Sequence, residues 1–310
     1  MAFTLLVTHS GAFHADELLS SVILTRLSPD ATLIRTRDRD LTTPAEGRVI
    51  YDVGRDYDAD RNIFDHHQPD APLREDGQPL SSFGLVWRHF GMDYLAALDI
   101  PEDHRADVFR SFDQGFVLPI DLVNNGVLAT STAGPMLSDL TLPALLESLK
   151  PVFDDQSPDA DDRAFHAALT VARAFVEARI QRKASKLRAE SMVMAAIEAA
   201  GDGKVLELPM GMPFRSAVLK AGADHLLFVA TPRSDGWTLT GIRLAEDGFD
   251  LRADLPAAWA GLTDEALEEA SGVKGAKFCH NGRFIAVADT REAIMQLADL
   301  AVAEAEAAMA

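Results

Sequence analysis

The stretch THSGAFHADE, Thr8 to Glu17, follows an apolar run, Phe3 to Val7, that reads as a buried strand. It leads into Leu18 to Leu27, whose apolar residues recur at helical spacing. Two histidines and two acids therefore sit at a strand-to-helix turn. In open parallel sheets, ligands and metals collect in the loops at the C-terminal ends of strands. The turn reads as a metal site, and the chain around it as an α/β fold built on a parallel sheet.

Working outward, Ala31 to Thr36 is a second strand-like run, and RTRDRD, Arg35 to Asp40, follows it. Alternating charge suits a solvated loop or, through Arg35 and Arg37, contact with a phosphate. Arg48 to Val53 closes as YDVG at Gly54 and places Asp52 where a third parallel strand expires. NIFDHHQP, Asn62 to Pro69, is a short strand that stops in an acid, two adjacent histidines and a proline. Taken singly, Asp52 would be a turn residue or a helix cap, and each histidine a hydrogen-bonded structural residue. Taken together, His9, His14, Asp16, Asp52, Asp65, His66 and His67 fall at the predicted ends of strands of one sheet, a concentration that points to a metal centre. Imidazoles and carboxylates without thiolate are the ligand set of first-row divalent ions. Five or six such ligands exceed the needs of one tetrahedral zinc and suffice for two ions sharing a carboxylate. Two ions about 3.5 to 4 Å apart would clamp a phosphoryl oxygen and ionise a bridging water. The carboxylate-rich mixture favours Mn²⁺, with Mg²⁺, Co²⁺ or Zn²⁺ as substitutes.

Composition narrows the function. At 310 residues and 47% hydrophobic, the chain has room for two cores. The single cysteine, Cys279, excludes an intrachain disulfide and a cysteine-built zinc cluster. No apolar stretch is long enough to span a bilayer. The opening run MAFTLLV has no basic leader, so a cytoplasmic location is expected. A net charge of -19 repels polyanions and disfavours a basic groove for duplex DNA. A short strand, a mononucleotide or another small anion held by a metal fits the composition.

Beyond Gly126 the chain turns helical. Asp154, Asp155, Asp159, Asp161 and Asp162 form an acidic loop, and no proline interrupts Arg163 to about Ala200, which reads as a connecting helix stopped by Gly201. Strands resume at Lys204 to Leu208, Ser216 to Leu219, His225 to Thr231 and Trp237 to Leu244. Helices near Thr263 to Ala270 and Thr290 to Ala308 flank a further strand pair, and the alanine-rich tail, Ala301 to Ala310, continues the last of them. The expected layout is an N-terminal parallel-sheet domain over 1–162, a connecting helix over 163–201 and a smaller C-terminal α+β domain over 202–310.

The order THSGAFHADE, then DVG, then FDHHQ, resembles the DHH phosphoesterase superfamily and, within it, the melanocyte proliferating gene 1 family of metal-dependent hydrolases. Further matches are SSFGLVWRHFG (Ser81 to Gly91), IDLVNNG (Ile120 to Gly126), LPAAWAGL (Leu255 to Leu262) and FCHNGRFI (Phe278 to Ile285). The resemblance implies that the first domain is DHH-type and that His9, His14, Asp16, Asp52 and His66 occupy metal-ligand positions, with Asp16 as bridge. It implies that Asp65 orients His66 and that His67 faces the substrate phosphate. The family carries two acids before its Asn-Gly, whereas this chain has Asp121 and then Asn124. Asp121 is therefore the expected last ligand, with Asp113 in reserve, although Gly115 and Pro119 argue against one continuous helix between them. In the resemblance the C-terminal domain covers the site like a lid, with His280 and Arg283 gripping a phosphate or terminal nucleotide. Phe214 and Arg215 suit base stacking with phosphate contact, or core packing.

The resemblance implies a 3′-to-5′ exonuclease acting on RNA or short oligonucleotides through two divalent ions. Two other classes stay open: a hydrolase of pyrophosphate or a small phosphoester, and a metal-stabilised interaction protein without catalysis. A homodimer is the candidate assembly.

Overall fold

The computed structural model describes residues 3–129, 137–245 and 248–309. Met1 and Ala2 of the opening run and Ala310 of the tail lie outside them. The first apolar runs form β1 (Leu5–Thr8), β2 (Thr32–Arg35), β3 (Arg48–Tyr51), β4 (Tyr57–Asp58) and β5 (Ile63–Phe64). They pair in the order β2-β1-β3-β5-β4, parallel except for β4 against β5. Leu6, Val7, Val49 and Ile50 are fully buried, as strands covered on both faces require. The chain moves from β1 to β2 and then back past β1 to β3. The C-terminal ends of β1 and β3 thereby flank a topological switch point, where open α/β sheets hold ligands.

Two helices cover this sheet. In α1 (Ala15–Leu27) every residue from Ala15 to Leu24 is buried, and α1 packs against α2 (Ser82–Ala97). The third strand stops one residue before Asp52 because Asp52 takes a left-handed φ of 53°. Gly54 follows at φ 105°, where an added Cβ would lie 3.0 Å from the Ile63 side chain and 3.3 Å from the Thr42 carbonyl. A glycine is needed to make this turn.

α3 (Glu102–Phe112) continues through a π-helical turn, Asp113–Val117, into α4 (Leu118–Asn124). The chain thus stays helical across Gly115 and Pro119, contrary to the sequence expectation. The π turn lies where the Pro119 ring would meet the Gly115 carbonyl in a regular α-helix, and the Leu118 N–H bonds five residues back to Asp113 instead. After α5 (Leu142–Glu147), the long helix α6 (Ala160–Ala200) starts three residues earlier than Arg163. Phe165, Ala168, Ala172, Val176, Ile180 and Ala184 form its buried stripe at spacings of three and four.

The chain divides into two compact units, residues 1–184 and 185–310, with the boundary inside α6. The second unit contains β6 (Val205–Glu207), α7 (Arg215–Lys220), β7 (Phe228–Arg233), β8 (Gly236–Gly241), α8 (Asp264–Ser271), β9 (Ala276–Cys279), β10 (Ile285–Ala288) and α9 (Arg291–Met309). Its sheet runs β6-β7-β8-β10-β9, with only β6 and β7 parallel. Ile294, Leu297, Ala298 and Ala301 of α9 pack with Phe228, Leu239 and Ala286 of that sheet. The run Ser216 to Leu219, expected as a strand, is the centre of α7. Three apolar residues after a serine carry no period of their own. Here the Phe214 and Ala217 carbonyls accept from residues four ahead, Val218 and Ala221, and only Ala217 and Val218 are buried.

Gly84 lies on α2 beside the end of α4: an added Cβ would meet Asp121 Oδ1 at 2.6 Å and Leu80 Cδ2 at 2.7 Å. Asp121 is buried and held by other partners, so it cannot retreat cheaply. Gly84→Ala should destabilise the protein by about 1–3 kcal/mol of overpacking, despite the helix-propensity gain of about 1 kcal/mol, read as a lower urea midpoint at unchanged slope.

Candidate metal centre

Three of the four parallel strands, β1, β3 and β5, deliver their chemistry just beyond their last residue. His9 follows β1, Asp52 follows β3, and Asp65, His66 and His67 follow β5. His14 precedes α1, and Asp16 and Glu17 lie in its first turn. The His14 backbone N–H donates to Glu17 Oε1 at 2.7 Å, closing the loop onto the helix. An acid in that turn is favoured by the helix N-terminus. Asp16 and Glu17 nevertheless point inward, 1% and 0% exposed.

The inward groups meet. His9 Nε2 lies 3.0 Å from Glu17 Oε1 and 3.3 Å from Asp52 Oδ2, and His9 Nδ1 is 3.2 Å from the Ser10 carbonyl. His66 Nε2 lies 3.3 Å from Asp52 Oδ1 and 3.4 Å from Asp16 Oδ2. Asp16 Oδ1 accepts from Asn124 Nδ2 at 2.8 Å. Asp65 was expected to orient the His66 ring, but its side chain takes the ring of His67, at 2.6 Å from Nδ1. On His66 it accepts only from the backbone N–H, at 2.7 Å, while its other oxygen accepts from the Arg55 N–H at 2.6 Å.

Three buried carboxylate oxygens in this cluster make no hydrogen bond of good geometry: Glu17 Oε2, and Asp16 Oδ2 and Asp52 Oδ1, which share the His66 Nε2 at 3.4 and 3.3 Å. Buried carboxylate oxygens are rarely left so unless something else satisfies them. The groupings that can share a cation are His9, His14 and Glu17; Asp52, His66 and His67; and Asp16, Glu17 and Asp52. Within each, the ligand atoms lie within 4.8 Å of one another. The donor set therefore fits a divalent metal on geometry and on unmet polar capacity.

The electrostatics agree. Burial alone would depress His9, but its bonds to Asp52 and Glu17 carry it up to about 10. His66 likewise rises to about 10 against burial, through Asp16 and Asp52. Burial pushes Glu17 up to about 8 despite its bond from His9. Burial and the neighbouring Asp52 charge also raise Asp16. Burial opposes ionisation of Asp52, but bonds from His66 and His9 outweigh it and hold Asp52 well below the carboxylate range. Two imidazolium charges thus offset part of the carboxylate charge, the service a divalent cation would perform.

The other expected site residues fall elsewhere. Among the described residues, neither Asp121 nor Asp113 belongs to a metal-capable group. Asp121 Oδ1 accepts from the Ser81 N–H at 3.1 Å and from Ser81 Oγ at 2.7 Å, and its Oδ2 accepts from Arg74 Nη2 at 2.6 Å. Asp113 takes the same guanidinium in a two-point contact, at 2.7 and 3.1 Å. Arg35 has a side chain only 2% exposed. It pairs with Asp162, donates to the Gly11 carbonyl, and lies 4.6 Å over the Phe165 ring. Arg35 therefore braces the His9-to-His14 loop, whereas Arg37 is exposed. In the second unit His280 is exposed and accepts from the Gly282 N–H at 2.9 Å, and Arg283 pairs with Asp254.

Glu17 and Asn124 were missed as site residues. Glu17 had a signal, its place three residues after His14, but the same spacing also makes a helix cap. Asn124 sits 108 positions from its partner Asp16, and only the fold brings them together.

A family model named MYG1_exonuc, described as Uncharacterised protein family (UPF0160), matches residues 5–302. The MYG1 exonuclease of Homo sapiens is 30% identical over 323 residues, covering 96% of this chain and 85% of the human protein. The MYG1 protein YER156C of Saccharomyces cerevisiae is 30% identical over 326 residues, covering 96% of this chain and 95% of the yeast protein. The MYG1 protein of Dictyostelium discoideum is 28% identical, covering 94% of each chain.

Because His9 and His66 hold protons up to about pH 10, a metal that takes their Nε2 atoms must displace them. Metal uptake at pH 7.5 should release about two to three protons per cluster, two from the imidazoles and most of a third from Glu17, and apparent affinity should rise with pH. Calorimetric titration with Mn²⁺ in buffers of different ionisation enthalpy measures the proton count.

Proposed function

Because the chain belongs to the MYG1_exonuc family (UPF0160), we propose that it is a metal-dependent phosphodiester hydrolase, a 3′-to-5′ exonuclease on RNA or short oligonucleotides. The observation that carries the metal dependence is the set of three buried carboxylate oxygens that make no hydrogen bond of good geometry, gathered between His9 and His66. His9, His14, Asp16, Glu17, Asp52 and His66 would hold two divalent ions, with Mn²⁺ the best fit to a carboxylate-rich set. When bound, such ions supply Lewis-acid polarisation of a phosphoryl oxygen and an ionised water at neutral pH.

The chain's own residues do the rest. His9 donates from Nδ1 to the Ser10 carbonyl, which leaves the Nε2 lone pair for a cation once its proton departs. The His67 side chain is 55% exposed, and its Nδ1 is committed to Asp65. Its Nε2 is therefore free to donate to a phosphoryl oxygen as charge builds there. Asp65 holds that ring and raises the His67 pKa, which keeps the imidazolium available. Asp65 itself stays ionised: burial opposes this, but bonds from His67 and the Arg55 N–H outweigh burial.

The net charge of -19 also suits pyrophosphate or a small phosphoester better than a long polymer. End-labelled short RNA and pyrophosphate, each with Mn²⁺ and after chelation, separate the two readings. Stepwise loss of 3′ nucleotides only with metal supports the exonuclease. Turnover of pyrophosphate alone favours the small substrate.

Two variants test the roles. His67→Ala should lower kcat by about 10²–10³ with metal affinity kept, whereas Asp52→Ala should lose both metal uptake and turnover. Asp65→Asn removes the group that raises His67. The protonated form is the active one and is lost as pH rises through the folded pKa, so the alkaline limb of the kcat profile should move to lower pH in this variant.

A further inference from the structure

We propose that Asn124 is a positioning residue for the metal centre, holding the Asp16 carboxylate so that one oxygen stays turned toward His66 and Asp52 for a cation. Asp16 is 1% exposed, and its two oxygens have different fates. Oδ1 accepts from Asn124 Nδ2 at 2.8 Å, whereas Oδ2 makes no hydrogen bond of good geometry and lies 3.4 Å from His66 Nε2. A neutral amide donor suits this task, because it fixes the carboxylate plane without adding charge to a cluster that already holds Asp16, Glu17 and Asp52.

The amide is itself held in place. Asn124 is the last residue of α4, and that helix end is pinned by Asn125, whose side chain and backbone N–H both donate to the Asp121 carbonyl, at 2.9 and 3.0 Å. The Asp121 side chain is anchored by Ser81 and Arg74, and Arg74 also grips Asp113 beside the π turn. The half-buried Arg74 network thus acts on the metal centre through the end of α4. Its acids hold the helix that carries the donor, rather than contacting the cluster. Partners of ligating groups commonly shift metal affinity by about 10–100-fold when removed.

This inference rests on the metal-centre reading above and not on the nuclease assignment. The experiment is calorimetric titration of the full chain with Mn²⁺ alone, together with thermal melting in chelator. Asn124 is exposed, so its variants should fold. Asn124→Ala should bind Mn²⁺ about tenfold more weakly with unchanged melting in chelator, a split that a merely structural residue would not produce. Asn124→Ser, too short to reach Asp16, should match it. Asn124→Asp sets a second carboxylate against Asp16. It should melt lower in chelator and gain more from Mn²⁺ than the parent does.

Unchanged Mn²⁺ affinity in Asn124→Ala and Asn124→Ser would overturn the proposal, as would a parent protein that takes up no Mn²⁺. A protein whose Mn²⁺ affinity depends on Asn124 but which cuts no oligonucleotide would instead overturn the nuclease reading alone.

Discussion

Asp16, Glu17, Asp52 and Asp65 are all buried at the ends of three neighbouring strands, and the first three stand within ligand distance of one another. Like charges taken out of water cost several kcal/mol each unless paired. Two imidazolium groups answer part of that cost, yet three carboxylate oxygens still lack a well-formed hydrogen bond. The surrounding fold can be understood as the scaffold that keeps this unfavourable arrangement from relaxing. Strand order puts β1 beside β3, Asp52 is held in a left-handed conformation, and Arg35 ties the Gly11 carbonyl to Asp162 and Phe165 at the start of α6. Strain of this kind persists where surrounding packing over-determines it, and it concentrates at functional sites.

The first unit handles Asp121, with the half-buried Asp113 beside it, in the opposite way. Asp121 is fully buried too, and burial pushes it up to about 6 against the pull of Ser81 and Arg74. Arg74 reaches both Asp121 and Asp113, so these two acids share a built-in cation and their oxygens are occupied. One cluster is closed by an arginine and stabilises a helix end. The other is left open. That contrast between two acidic groups in one unit marks the open one as the place for an exchangeable ion.

Much of the open cluster could be read from the chain. His9, Asp52 and His66 each follow a short apolar run at the strand end it predicts, and the parallel pairing brings those ends together. Glu17 was harder to see. An acid in the first turn of a helix ordinarily faces solvent, and only the burial of α1 on all sides turns it inward. Asp121 was expected as the last metal ligand, whereas its oxygens are taken by Ser81 and by Arg74, which lies 47 residues away in an irregular segment that carries no periodic signal. Arg35 could equally have been a phosphate contact or a solvated charge. Its actual use depends on Phe165, placed against it by a helix that begins more than a hundred residues later. In the second unit, the short run from Ser216 to Leu219 suited strand or helix, and local i to i+4 bonding decided for the helix.

A metal centre here requires that the three oxygens lacking a well-formed hydrogen bond be a cation's ligands. Anomalous diffraction from crystals soaked in Mn²⁺ tests this most directly. Strong peaks are expected in contact with Asp16 Oδ2, Glu17 Oε2 and Asp52 Oδ1, with His9 or His66 Nε2 completing the contacts. An absence of peaks there, or a peak only beside Asp113 and Asp121, would contradict it.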